Sequence, residues 1–150
     1  MHGAGAQVVL ADINADKLAA AAELLGDRAL PVVVDVREPD QISAALERGR
    51  RAFGPVRVAV SCAGILSAAK IVSRGQAHDL DVWRRVLDVN LTGTFNVLRL
   101  AAAHMIEAPP DPDTGERGVI VNTASIAAFD GQKGQAAYAA SKAGVVGLTL

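Results

Sequence analysis

Ser125, Tyr138 and Lys142 carry side chains that together could move a proton to or from an alcohol. Tyr138 and Lys142 lie in Tyr138-Ala139-Ala140-Ser141-Lys142, within an Ala-rich, Pro-free stretch from Ala136 to Leu150 that reads as a helix despite its glycines. At helical pitch, side chains four residues apart share a face one turn apart. A phenol titrates near pH ~10 and is a poor base at neutral pH. An ammonium within ~4–6 Å favours the phenolate, and such a phenol can take a proton from an alcohol or return one to a ketone. Ser125 follows the apolar run Val119-Ile120-Val121, and its hydroxyl could donate to the same substrate oxygen. Tyr and Lys at this spacing also occur on ordinary solvated helices. The serine at a strand end directly before the helix is what points to a site.

Around this stretch the chain alternates between apolar runs and amphipathic segments. Gln7 to Ala11 reads as a buried strand ending at Asp12. The next helix has Asn14 as N-cap, Asp16 in its first turn, a stripe of Leu18, Ala21, Ala22 and Leu25, and Gly26 as its stop. A second strand, Leu30 to Val34, leads into Asp35-Val36. Pro39 then opens a helix with Ile42, Ala45, Leu46 and Phe53 on its apolar side, closed by Gly54-Pro55. The third strand, Val56 to Val60, precedes Ser61-Cys62-Ala63-Gly64. Ile65 to His78 is expected to be loop, and Leu80 to Ile106 a long helix that Asn90 and Gly93 bend. After a Pro-rich surface loop from Ala108 to Gly115, a fourth strand runs from Gly118 to Asn122. Strands alternating with helices predict an α/β fold, a parallel sheet with helices on both faces. Ligands in such sheets sit beyond the carboxyl ends of the strands. Asp12, Asp35, Cys62-Ala63-Gly64 and Ser125 all fall there.

Composition narrows the function classes. A chain of 150 residues suits one domain with a real core, and 51% hydrophobic with 3% aromatic residues predicts a core of Ala, Val, Leu and Ile. A net charge of −1 without a basic, aromatic-interleaved patch argues against nucleic acid. Apolar runs fall well short of the ~20 residues of a membrane span, and Met1-His2-Gly3-Ala4-Gly5 lacks the pattern of a secretory signal. The single cysteine, Cys62, fits a reducing, cytoplasmic setting. His2, His78 and His104 have no metal-like spacing, so no metal site is expected.

The markers Asp12, Asp35-Val36, Cys62-Ala63-Gly64, Asn90, Ser125, Tyr138 and Lys142 resemble those of the short-chain dehydrogenase/reductase family over essentially the whole chain. The family usually has Asn where Cys62 stands. That variant, the stretch Arg85 to Val97, the enlarged Pro-rich loop and Val121 to Ser125 are similar to the type-2 3-hydroxyacyl-CoA dehydrogenases, of the kind that also oxidise hydroxysteroids (17-beta-hydroxysteroid dehydrogenase type 10-like). The resemblance implies a Rossmann-like doubly wound parallel sheet and hydride transfer between NAD and a secondary alcohol or ketone in lipid metabolism. It makes Tyr138 the general base, in contact with both the substrate and the cofactor. Lys142 would favour the phenolate and hold the nicotinamide ribose, and Ser125, with Gln132 beside it, would bind substrate. Asn90 would help position Lys142 through water. For the cofactor, Asp12 would meet the adenosine ribose, Asp35 and Val36 the adenine, and Cys62, Ala63 and Gly64 would run along it. A carboxylate at Asp12 disfavours a 2′-phosphate and hence NADP; taken alone, Asp12 equally reads as a helix-capping acid before Asn14. Cys62 taken alone reads as a small buried apolar residue. The family's homotetramers imply pairing through the helices at Leu80–Ile106 and Ala136–Leu150, with Ala139, Ala143 and Gly147 allowing close approach.

The family opens with a strand, a Gly-rich turn that cradles the pyrophosphate, and a helix. Gly3 and Gly5 fit the end of that helix rather than the turn. The chain is therefore expected to be a fragment truncated at both ends, its sheet incomplete. With a family strand order of 3-2-1-4-5, the missing strand leaves a gap between the first and third strands here. Two other functions compete: an NADPH-dependent 3-oxoacyl carrier-protein reductase, and a non-catalytic subunit-interaction protein.

Overall fold

A computed structural model of the protein describes residues 1–149. After a short 3-10 turn, His2–Ala4, the chain runs β1 (Val8–Asp12), α1 (Ala15–Leu25), β2 (Ala29–Val33), α2 (Pro39–Phe53) and β3 (Val58–Ser61). Then come β4 (Val72–Ser73), β5 (Gln76–Ala77), α3 (Leu80–Leu87), α4 (Gly93–Glu107), β6 (Val119–Asn122) and α5 (Ala136–Leu148). The helix boundaries arise from local chemistry. Asn14 accepts from Lys17 N at 2.9 Å to cap α1, Pro39 supplies the first turn of α2, and Asp79 accepts from Asp81 N at 2.8 Å to cap α3.

The long strands pair in parallel as two half-sheets. β1 lies beside β2 from Val8↔Ala29 to Asp12↔Val33, and β3 beside β6 from Val58↔Val119 to Ser61↔Asn122. No ladder joins β1 to β3 among the described residues. The gap thus falls where the sequence predicts it. A helix layer holds the halves together. Val32, Val34, Ile42 and Ala45 form one core cluster, with Val9, Leu30, Val97 and Leu100 against it. Ala59, Ala101 and Met105 form a second, with Val56 and Ile120 against it, and Leu46 of α2 packs on both. The opposite face of β3 and β6 is bare: Val58, Val60, Val119 and Val121 alternate with the covered residues and remain exposed.

Three expectations are corrected. The stretch Leu80 to Ile106 is not one bent α-helix: a π-helical turn over Asp88–Thr92 separates α3 from α4. Such a turn inserts one residue and rotates the helix beyond it. The segment Ile65 to His78 is not all loop, since β4 and β5 form an antiparallel hairpin whose turn holds Arg74 at φ 53° and Gly75 at φ 76°. Positive φ at both central positions is the tight-turn geometry that fits strand twist. The last helix ends at Leu148, and Leu150, to which it is expected to run, lies outside the described residues.

Candidate active site

Residues that could do proton chemistry gather where β6 leads into α5. Lys142 is 4% exposed, and its Nζ donates to the Thr123 carbonyl oxygen at 2.6 Å. Thr123 comes directly after the last residue of β6, so the strand end fixes the ammonium. Nζ lies 5.8 Å from the centroid of the half-buried Tyr138 ring, as the four-residue spacing requires. Ser125 is extended and caps a 3-10 turn over Ile126–Ala128, its Oγ accepting from Ala127 N at 3.2 Å. That turn packs against α5. Because the hydroxyl accepts here, its own proton remains for another oxygen. Gln132 is exposed in the loop before α5, where its Oε1 takes a long 3.4 Å bond from Gln135 Nε2.

Asn90 sits in the π-helical turn, fully buried. Its Oδ1 accepts from Ile65 N at 2.7 Å, and its Nδ2 donates to Ile65 O at 2.9 Å and to Ser141 Oγ at 3.0 Å. Ser141 Oγ in turn donates to Tyr138 O at 2.7 Å. The Asn90 carboxamide therefore ties the segment after β3, the π-helical turn and α5 into one unit.

The other half of the site is a cleft of about 400 Å³ at the carboxyl ends of the strands. Asp12, Asp35, Val36, Cys62, Ala63 and Gly64 all line it. Its apolar walls, Val34, Val60 and Val97, and the two carboxylates among its lining suit the adenosine half of a dinucleotide in size and chemistry. Ser61, another lining residue, is buried with no hydrogen-bond partner for its Oγ. Tyr138, Lys142, Ser125 and Gln132 lie outside this lining, and Gly64 connects the two halves. A Cβ at Gly64 would stand 3.4 Å from Asn90 Oδ1 and 3.7 Å from Lys142 Nζ, so Gly64 lies close to both residues while it borders the cleft.

Three details differ from or extend the sequence reading. Asp12 does act as a turn-forming acid, Oδ1 accepting from Asn14 N at 2.9 Å. The Cys62 thiol is exposed rather than buried, because it follows Val58 and Val60 in the strand alternation and so falls on the bare face rather than with Ala59 and Ser61 in the core; Thr123 Oγ1 contacts its Sγ at 3.8 Å. The Asp35 carboxylate is engaged by Arg37, whose Nε donates to Oδ1 and Oδ2 at 3.0 Å each. That guanidinium holds the Asp35 carboxyl below the ordinary carboxylate range. Arg37, Ser141 and the Thr123 carbonyl were missed from sequence. Only Arg37 leaves a signal there, an opposite charge two residues after Asp35.

Val36 is set by a close approach from α4. A Cβ on Gly93 would fall 2.5 Å from Val36 Cγ2, and Asn96 Nδ2 donates to Val36 O at 3.2 Å. Gly93→Ala is expected to destabilise the protein by about 1–3 kcal/mol through overpacking and to displace Val36 from the cleft wall. A fall in urea midpoint with unchanged slope checks the first effect, and the amide shift of Val36 checks the second.

The sequence model of the short chain dehydrogenase family matches residues 1–150. The chain is 50% identical over 150 residues to human 3-hydroxyacyl-CoA dehydrogenase type-2, covering 99% of this chain and 57% of that protein. It is 38% identical over 148 residues to the 3-oxoacyl-[acyl-carrier-protein] reductase FabG of Thermotoga maritima, covering 97% of this chain and 56% of that one. The crystal structure of 3-hydroxyacyl-CoA dehydrogenase type-2 from Mycobacterium avium superposes with a TM-score of 0.92 at 45% identity, over 98% of this chain and 58% of that one. The chain thus spans a little over half the length of these relatives, and its strands and helices form part of a Rossmann-type α/β fold. Sequence and backbone agree along nearly all of the chain, which belongs to the short chain dehydrogenase family.

Proposed function

We propose that this chain carries the adenosine cleft and the proton-transfer residues of an NAD-dependent dehydrogenase acting on a 3-hydroxyacyl-CoA or hydroxysteroid, within one Rossmann-type domain. The observation that carries the reading is the buried Lys142 ammonium. It is held at 2.6 Å by Thr123 O and stands 5.8 Å from the Tyr138 ring, at the strand ends that also border the cleft. An ammonium fixed there is placed to offset charge that develops at the site during proton transfer. Tyr138 then takes the alcohol proton in oxidation and returns it in reduction. Ser125 donates to the substrate oxygen, Gln132 borders the substrate, and Asn90 keeps α5 in place behind them. Asp12 receives the adenosine ribose hydroxyls, Asp35 and Val36 flank the adenine, and Cys62, Ala63 and Gly64 run beside the bound dinucleotide. When bound, NAD supplies the hydride acceptor.

The Asp12 carboxylate at the ribose end favours NAD over NADP, which with the greater identity to the type-2 dehydrogenase than to the carrier-protein reductase supports the oxidoreductase of acyl-CoA or steroid alcohols. We place its work in cytoplasmic lipid metabolism, as a homotetramer pairing through the α3–α4 and α5 helices. Ala143 and Gly147 are exposed on α5, as such pairing needs. With the opening strand and Gly-rich turn of the family joined to this chain, incubation with NADH and acetoacetyl-CoA is expected to give saturable NADH oxidation. A preference for NADPH with an acyl-carrier-protein substrate would replace this reading by the reductase one. Absence of turnover with either pair would favour a non-catalytic interaction protein.

A further inference from the structure

We infer that Asp35 is a specificity-determining residue at the adenosine end of the cleft, and that it works by holding the Arg37 guanidinium away from a 2′-phosphate. The inference rests on the proposed NAD reading and extends it to Arg37, which that reading does not use, and to a second role for Asp35 besides flanking the adenine. β1 and β2 run side by side, and Val34 N donates to Asp12 O at 3.0 Å, so Asp35 lies just beyond the level of Asp12 on the neighbouring strand. Asp12, Asp35 and Arg37 all line the same cleft. The rim therefore carries two carboxylates and one guanidinium.

An arginine in such a place is the residue type suited to a phosphate. Its planar fork matches phosphate oxygens in pairs, and an arginine near the ribose is how dinucleotide folds accommodate the 2′-phosphate of NADP. In this structure the fork is already used. Arg37 Nε donates to both Asp35 oxygens at 3.0 Å, Nη2 donates to Oδ2 at 2.5 Å, and the Arg37 backbone N–H donates to Oδ1 at 3.0 Å. The Asp35 N–H is itself anchored to Gln41 Oε1 at 2.8 Å, which ties the turn to α2. The Asp35 side chain is only 15% exposed, against 45% for Arg37. The carboxylate is thus the fixed partner and the arginine is drawn onto it. With Arg37 neutralised in this way, Asp12 sets the charge met by the ribose. Glu38 and Asp88 also act on Arg37 through charge, but neither bonds its fork.

The pair separates two effects of removing Asp35: loss of a negative charge, and release of a cation. Nicotinamide fluorescence titrations with NADH and NADPH, on the protein carrying the family's opening strand and Gly-rich turn, compare the wild type, Asp35→Asn, Arg37→Ala and the double variant and distinguish them. Asp35→Asn is expected to raise the NADPH-to-NADH affinity ratio by about tenfold, the worth of one charge-assisted hydrogen bond. Arg37→Ala alone, which leaves the Asp35 carboxylate without its counter-charge, is expected not to raise the ratio, and the double variant to abolish the gain. A ratio unchanged in Asp35→Asn overturns the inference while the NAD reading stands. A gain that persists in the double variant also overturns it, because charge removal alone then accounts for the change. A wild type that binds neither nucleotide sinks the NAD reading and this inference together.

Discussion

Replacing Tyr138 by Phe is expected to lower turnover by about two to four orders of magnitude, the usual share of a positioned acid or base, while nucleotide affinity and fold are retained. The substitution deletes one hydroxyl from a half-buried ring and leaves the ring contacts of α5 in place. Lys142 does not depend on the phenol for its position: its Nζ bonds Thr123 O at 2.6 Å. In Tyr138→Phe the ammonium therefore stays where it is, and only the group that carries the proton is lost. Retention of NADH binding, measured by fluorescence, separates this loss from a general collapse of the site. If turnover of acetoacetyl-CoA falls by less than a factor of ten, Tyr138 is not the proton carrier and the proposed chemistry fails.

The large features of this site were legible because they obey periods. The four-residue spacing of Tyr138 and Lys142 puts them together on any α-helix, and the rule that ligands meet strand carboxyl ends gathers Asp12, Asp35 and Cys62-Ala63-Gly64 into one cleft. The order of the half-sheets came from the alternation of strands and helices together with the family's strand order. The features that escaped have no side-chain signature. The acceptor that lets a lysine be 4% exposed is the backbone carbonyl of Thr123, and any residue type could supply it. The π-helical turn over Asp88–Thr92 keeps nearly helical spacing in its apolar residues, so Asn90 and Gly93 suggest a bend but not an inserted residue. The hairpin over Val72 to Ala77 turns on Arg74-Gly75 rather than the Asn-Gly or Asp-Gly that announces such turns. Asp12 shows the converse. Both readings of it, helix-turn acid and ribose ligand, are compatible with one carboxylate, since the Asn14 N–H engages Oδ1 and a second oxygen remains.

Asn90→Ala is expected to cost about 3 kcal/mol or more of stability and to take turnover down with it. The residue is fully buried and makes three side-chain hydrogen bonds, two of them to the backbone of Ile65. Truncation strands the Ile65 N–H and C=O and removes the donor to Ser141 Oγ. The two Ile65 groups are part-buried, so leaving them unmatched costs about 1 kcal/mol each at the lower end of the usual range, to which the vacated volume adds. The resemblance to the family casts Asn90 as a partner of Lys142 through water. The geometry adds a mechanical role, because the same carboxamide joins the segment bordering Gly64 to the helix that carries both Tyr138 and Lys142. Ser141→Ala removes the link from Asn90 to α5 and the Ser141 Oγ bond to Tyr138 O but leaves the Ile65 pairing intact, so it is expected to cost about 1–2 kcal/mol. Urea unfolding of the two variants measures the difference. If Asn90→Ala proves no more destabilising than Ser141→Ala, the Ile65 pairing contributes nothing, and the coupling of the cleft to α5 must run through Gly64 instead.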